Sequence, residues 1–130
     1  MNEIPKMITP QWLRKNPGYV FVFGDNLERR GKKGAAICRD EPNAYGFVTK
    51  KAPNNRDESF YRPEKYANIC YNEMTSLTVY MINNPDKIFL VSRLGAGLAN
   101  RYSIYEKVIE PMLRALNDHP MVGERVILLP

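Results

Sequence analysis

A chain of 130 residues has room for one hydrophobic core and therefore for one domain. Its composition, 44% apolar and 25% charged, excludes a disordered chain, and its net charge of +5 favours anionic partners without naming one. The longest apolar run, residues 19–23, is too short to cross a membrane, and the first residues lack the features of a signal peptide.

The first half of the chain contains two predicted strands. Residues 19–23 form a β-branched and aromatic run that is typical of a strand buried on both faces, and this strand is predicted to end at Gly24. A short helical pattern begins after Gly34 and stops near Pro42. Residues 46–49 predict a second strand, which a polar loop follows.

The second half continues the alternation of helices and strands. Pro63 begins a long predicted helix, and residues 87–91 predict the third strand. Ser103 is typical of a helix N-cap, and Pro111 is expected to kink the helix that follows or to begin a new turn. Residues 125–129 predict a fourth strand.

This order predicts an α/β fold with a mainly parallel central sheet flanked by helices. We expect residues 1–130 to form a single domain, with residues 1–17 as an N-terminal extension anchored by Trp12. Without a secretion signal, Cys38 and Cys70 are expected to be reduced and buried, which indicates the cytoplasm.

Residues 23–36 follow the first predicted strand and lead into a helix, which is where open α/β sheets bind ligands. The glycines of this stretch let the backbone approach a ligand closely, and the helix N-terminus offers unpaired N–H groups to a phosphate. The stretch is neither a Walker P-loop nor a G-x-G-x-x-G motif.

A second glycine turn, residues 92–99, follows the third predicted strand. Two such turns at the carboxyl ends of strands in one sheet can face each other with a diphosphate between them. Alternatively, each glycine pair only makes a tight turn between a strand and a helix. The predicted ligand-binding residues are Gly24, Asp25, Asn26, Gly31, Gly34, Ala35, Ala36, Arg93, Gly95, Ala96, Gly97, Leu98, Arg101 and Tyr102.

Together, the two turns resemble the glycine-rich loops of macro domains and of their small phage-encoded relatives. The resemblance implies a three-layer macro-like domain that binds ADP-ribose, with Asn26 near the distal ribose and with Gly34, Ala35 and residues 95–97 at the phosphates. For a phage protein it further suggests the host cytoplasm and an anti-defence role, the sequestration of a host immune nucleotide.

The sequence departs from the macro pattern at several positions. Asp25 stands where the pattern has alanine, Phe23 replaces its first asparagine, and Lys32 and Lys33 occupy a part of the loop that is mostly glycine in macro domains. The residue that positions an attacking water in hydrolytic macro domains has no clear counterpart here. The resemblance therefore supports binding better than catalysis.

Few residues are candidates for catalysis. His119 is the single histidine and lies in a predicted surface turn, so we expect no metal site, no histidine-based triad and no cofactor. Asp25 and Asp57 are the candidates for positioning a water, although Asp25 is equally well explained as a turn carboxylate. Phe60 or Tyr61 either stacks on a base or packs against the core.

Three functions follow from these observations. The first is a binder of an ADP-ribose-type or related signalling nucleotide. The second is a hydrolase acting on ADP-ribosyl groups or on ADP-ribose phosphate. An RNA- or DNA-binding protein comes third, because the basic residues cluster at the glycine turns and no nucleic-acid motif is present. No membrane partner is expected, and the oligomeric state is left open.

Overall fold

The computed structural model describes residues 3–130, which form one parallel sheet flanked by helices. The strands are β1 (Tyr19–Asn26), β2 (Ala44–Lys50), β3 (Ile88–Val91) and β4 (Val126–Leu128). The α-helices are α1 (Pro10–Lys15), α2 (Pro63–Ile82) and α3 (Glu110–Asn117). The predicted α/β fold with a parallel sheet is confirmed.

The strand order is β2-β1-β3-β4, and every neighbouring pair is parallel. The chain moves from β1 to β2 in one direction, then crosses back past β1 to β3 and on to β4. The order therefore reverses between β1 and β3. Because such crossovers are right-handed, the β1–β2 connection lies on one face of the sheet, and α2 and α3 lie on the other.

Each face of the sheet has its own apolar cluster, and β1 contributes alternate side chains to both. Beneath α2 and α3 the sheet packs a cluster that includes Val22, Tyr66 and Ile109. On the opposite face, Phe23 packs with Leu13 of α1 and other buried residues. A strand covered on both faces must be apolar throughout, which explains the continuous run at its start.

Two predicted boundaries differ from the structure. The first strand does not end at Gly24 but runs on to Asn26, because β2 pairs with it as far as Lys50. The helical pattern after Gly34 forms only a 3₁₀ turn, Gly34–Cys38, since the chain re-enters the sheet as β2 shortly afterwards.

Pro111 begins a new helical turn, one of the two outcomes expected for it. A π-helical turn, Tyr105–Ile109, precedes α3, and Pro111 lies in the first turn of α3. A missing backbone N–H is least costly in that position, because the first N–H groups of a helix have no partner within it.

Residues 3–17 pack against the sheet through α1. Leu13 is fully buried, and Trp12 is partly buried with its ring centroid 5.2 Å from that of Tyr19. Both cysteines are buried, as predicted, and burial raises the pKa of the Cys70 thiol to about 12. Among residues 3–130, no helix has both the length and the apolar character needed to span a membrane.

Candidate functional site

The two glycine turns meet where the strand order reverses. Gly24 lies near the end of β1, and a Cβ atom built on it would lie 4.0 Å from the backbone nitrogen of Gly95, which follows β3. The buried Thr49 of β2 packs between them, with its Oγ1 3.4 Å from the same Cβ position. The turns therefore lie side by side at the carboxyl ends of β1 and β3, which is where open parallel sheets usually bind ligands.

The second turn uses its two glycines differently. Gly95 has a φ of +78°, and an added Cβ would lie 2.5 Å from Cδ1 of Ile109, so this glycine shapes the turn. An added Cβ on Gly97 would meet nothing within 4 Å. Leu98, the next residue, is 80% exposed. Ala96 is only partly buried and Gly97 is exposed, so the backbone is accessible at residues 96–97, beside the exposed Leu98 side chain.

Asn26 carries an unpaired polar atom at the end of β1. Its side chain is buried, and its Nδ2 donates a hydrogen bond to the carbonyl oxygen of Arg30 at 2.8 Å. Its Oδ1 is buried and accepts no hydrogen bond from residues 3–130. An unpaired buried acceptor costs about 1–3 kcal/mol, which a donor from a bound molecule would recover.

Asp25 lies under the first turn, enclosed by neighbouring groups. Its carboxylate is 2% exposed and accepts two hydrogen bonds from the Arg39 guanidinium, at 2.8 and 2.6 Å. It also accepts a hydrogen bond from the backbone N–H of Asn26 at 2.8 Å. Arg39 in turn stacks 5.7 Å from the Phe23 ring centroid. These contacts make Asp25 a brace for the turn and leave its oxygens little access to a ribose or a water.

Most basic residues of the first turn are paired with acids. Arg30 forms an ion pair with Glu28 at 2.7 Å, and Lys32 forms one with Asp40. Lys33 is exposed and makes no ion pair within the described part of the chain. The remaining predicted residues of this turn are exposed or partly exposed: Gly31, Gly34, Ala35 and Ala36.

The loop after β2 and the end of the second turn are joined through Asp57. The Asp57 carboxylate accepts hydrogen bonds from the Tyr102 hydroxyl and from Nη1 of Arg101, the latter at 3.3 Å. These bonds hold the pKa of Asp57 below its ordinary value. The guanidinium of Arg101 also lies 4.0 Å from the ring centroid of the buried Phe60.

Two further cations lie on the aromatic rings beside Asp57. Lys50 Nζ lies 4.9 Å from the Phe60 ring centroid, and the Arg62 guanidinium lies 4.1 Å from the ring centroid of Tyr102. Burial and the neighbouring Arg101 both lower the pKa of Lys50. We call Lys50, Asp57, Phe60, Arg62, Arg101 and Tyr102 the Asp57 cluster.

Arg93 belongs to a separate cavity beside the second turn. Its guanidinium lies 5.0 Å from the ring centroid of Tyr105, whose position follows from the π-helical turn. The cavity holds about 400 Å³ and is also lined by Ser92, Glu110 and Arg114. Its volume is within the usual range of small-molecule sites.

A second cavity, of about 330 Å³, is an apolar groove between α2 and α3, away from the strand ends. His119 lines it and accepts a hydrogen bond at Nδ1 from the Met121 backbone N–H, as a turn residue. No group of three or more metal-ligating side chains occurs among residues 3–130.

Comparison with protein families gives one match, to a family of unknown function, DUF7831, over residues 3–100. The chain belongs to the DUF7831 family. The DUF7831 match includes both glycine turns and most of the Asp57 cluster, and it ends next to Arg101. No curated protein and no solved structure matches the chain.

The sequence did not indicate the roles of three residues: Lys50, Arg62 and Arg39. The roles of Lys50 and Arg62 depend on a loop that folds back over the second turn, although basic residues flanking an aromatic pair were a visible signal. Arg39 braces Asp25 across 14 positions of the chain, and no local pattern indicates that pairing.

Proposed function

We propose that this DUF7831 protein binds a small phosphorylated nucleotide of the ADP-ribose type in the crevice between its two glycine turns. The observation that carries the proposal is the approach of Gly24 to Gly95 at the reversal of strand order. Bare backbone on both sides of such a crevice lets peptide N–H groups reach a diphosphate.

Asn26 supports the same ligand class. Its unpaired Oδ1 is an acceptor at the end of β1, and a ribose hydroxyl is a suitable donor. This is the position that the macro-domain resemblance assigns to the distal ribose. The cavity beside Arg93 adjoins the second turn and offers room for the other end of an extended nucleotide.

The hydrogen bonds of the two candidate catalytic carboxylates favour a nucleotide binder over a hydrolase. Asp25 is enclosed by Arg39, and Asp57 is held by Tyr102 and Arg101. Asp25 is closed to water, and the hydrogen bonds that lower the pKa of Asp57 make it a weaker base, whereas a nucleotide binder needs neither carboxylate for chemistry. Sequestration of a signalling nucleotide, the role suggested by the phage-like resemblance, requires binding alone.

A ligand panel tests this proposal. The purified protein is incubated with ADP-ribose, NAD, cyclic ADP-ribose isomers, ATP and cyclic dinucleotides, and its melting temperature is measured with each. A ligand that binds only the native state raises the melting temperature by mass action. We expect a rise with ADP-ribose or a cyclic relative, and no rise with any member at millimolar concentration would contradict nucleotide binding.

Mass spectrometry of the same mixtures separates binding from turnover. We expect the nucleotide to be recovered intact after the protein is removed by heating. A changed nucleotide would instead support the hydrolase. Salt-sensitive retention of RNA in gel-shift titrations, without a melting shift from any nucleotide, would support nucleic-acid binding.

A further inference from the structure

The Asp57 cluster holds more positive than negative charge. Arg101 forms an ion pair with the Asp57 carboxylate, which is 62% exposed, and Lys50 and Arg62 lie on the neighbouring Phe60 and Tyr102 rings. Glu58, its neighbour in the chain, is exposed and forms no ion pair among residues 3–130. One cation thus binds Asp57 and two more lie on the adjacent aromatic rings, so the cluster has three positive charges and one negative charge.

Aromatic rings fix the positions of these cations. Lys50 and Arg101 both lie within 5 Å of the Phe60 ring centroid, and Arg62 lies on the Tyr102 ring. Phe60 is buried, so the platform beneath Lys50 and Arg101 is rigid. Burial lowers the pKa of Lys50, and the nearby Arg101 lowers it further; an added anion would relieve the repulsion between these two cations.

We propose that the Asp57 cluster is a binding site for a phosphate monoester, and that Asp57 occupies it as an internal substitute until the phosphate displaces it. A phosphate monoester carries a charge of about −1.5 to −2 and three acceptor oxygens, against the single charge of a carboxylate. Arg101 and Tyr102 would then donate to phosphate oxygens the hydrogen bonds that they now donate to Asp57.

The location gives this site a role in nucleotide recognition. Lys50 is paired with Asn26 in the sheet, and Arg101 follows the second glycine turn, so the cluster lies at the β2 end of the proposed crevice. If the crevice binds a nucleotide as proposed, that nucleotide carries a terminal phosphate monoester. Displacing Asp57 would also release the link between the loop after β2 and the second turn.

An NMR titration with inorganic phosphate tests the site without any nucleotide. Amide signals are followed at neutral pH and constant ionic strength in the wild type and in two matched variants, Asp57→Asn and Glu58→Gln. Both variants remove one negative charge from adjacent positions, but only the first removes the internal substitute. Both positions are exposed, so the native fold should persist, and the spectra report it directly.

We expect phosphate to shift the amides of Phe60, Arg101 and Tyr102. Asp57→Asn should tighten phosphate binding by about tenfold, because the charge-assisted hydrogen bonds to Asp57 no longer compete. Glu58→Gln should have little effect. Arg101→Met should weaken phosphate binding about tenfold, whereas Arg56→Met, on the same loop without a side-chain contact to the cluster, should not.

Equal affinities for phosphate in Asp57→Asn and Glu58→Gln would overturn the proposal, as would phosphate-induced shifts confined to other parts of the chain. A loss of phosphate binding in Asp57→Asn would overturn it too, since a substitute cannot also be required. Nucleotide titrations of Gly97→Val report on the crevice, so failure of the crevice and failure of the cluster are seen separately.

Discussion

At the scale of residues, Asp25 shows how a residue placed in a ligand loop can serve the fold. Its carboxylate is 2% exposed and forms a bidentate ion pair with Arg39. A guanidinium matches a carboxylate in this geometry better than any other side chain does. The pair holds the first turn against β1, so the position of that turn depends on it.

The first prediction concerns this ion pair. Asp25→Asn should lower the free energy of unfolding by about 3 kcal/mol, because it leaves the Arg39 guanidinium poorly paired in a mostly buried site. Urea denaturation measures the loss. Asp40→Asn is the control, since it breaks the exposed pair with Lys32 and should change stability little. Equal losses in the two variants would contradict the bracing role of Asp25.

The second glycine turn was predictable because its signal is local, whereas Gly24, expected to end the first strand, lies within β1. A glycine after a strand is visible in the sequence, and Gly95 does adopt the positive φ that only glycine tolerates easily. The partners of charged residues were not predictable in this way. Arg39 reaches Asp25, and Arg101 reaches Asp57, only after distant segments have packed together.

At the scale of elements, the end of α2 depends on a residue far along the chain. Arg125 donates hydrogen bonds to the carbonyl oxygens of Met81, Asn84 and Lys87, at 3.0 to 3.1 Å. Its guanidinium also lies 5.6 Å from the ring centroid of Phe89 in β3. Met81 belongs to the last turn of α2, and Asn84 and Lys87 belong to the segment that leads to β3, so these bonds join both to the turn before β4.

The second prediction follows from this contact. Arg125→Met should lower the free energy of unfolding by about 1–3 kcal/mol, because it removes three hydrogen bonds while keeping an apolar stem. Arg125→Lys should restore only part of the loss, since an ammonium cannot reach three carbonyls in the same plane. Denaturant titration of both variants measures this. Full stability of Arg125→Met would show that water satisfies these carbonyls equally well.

The order of elements was predictable, but their boundaries were less so. Apolar periodicity identified four strands, and the turn residues separated them. The extension of β1 to Asn26 depends on pairing with β2. It is a consequence of tertiary contacts, which override local preference.

At the scale of the whole molecule, the core contains several ionisable groups that are kept neutral by burial. Burial raises the pKa of Cys38, Tyr45, Tyr61 and Tyr66, and it raises the pKa of Cys70 from 9.0 to about 12. In the unfolded chain these groups lose their protons at their ordinary pKa. At a pH between a group's ordinary pKa and its raised native pKa, the unfolded state binds fewer protons than the native state. The free energy of unfolding therefore falls as pH rises.

The third prediction uses this pH dependence. The free energy of unfolding should fall steadily above pH 9.0, the ordinary pKa of the Cys70 thiol, and up to about pH 12. Urea denaturation at several pH values measures the slope. Cys70→Ala should give a shallower slope over the same range, although its cavity lowers stability throughout. Identical slopes in the two proteins would contradict the protonated, buried thiol.

The central claim is that the crevice between the glycine turns binds a nucleotide, and calorimetry with ADP-ribose tests it most directly. Gly97→Val is the matched variant, because its added side chain meets no protein atom within 4 Å at Cβ and projects from the bare surface of the second turn. We predict saturable heat with the wild type and none with Gly97→Val, whose circular dichroism spectrum should remain native. Equal, saturable heats from both proteins, or no heat from the wild type at millimolar ADP-ribose, would contradict the claim.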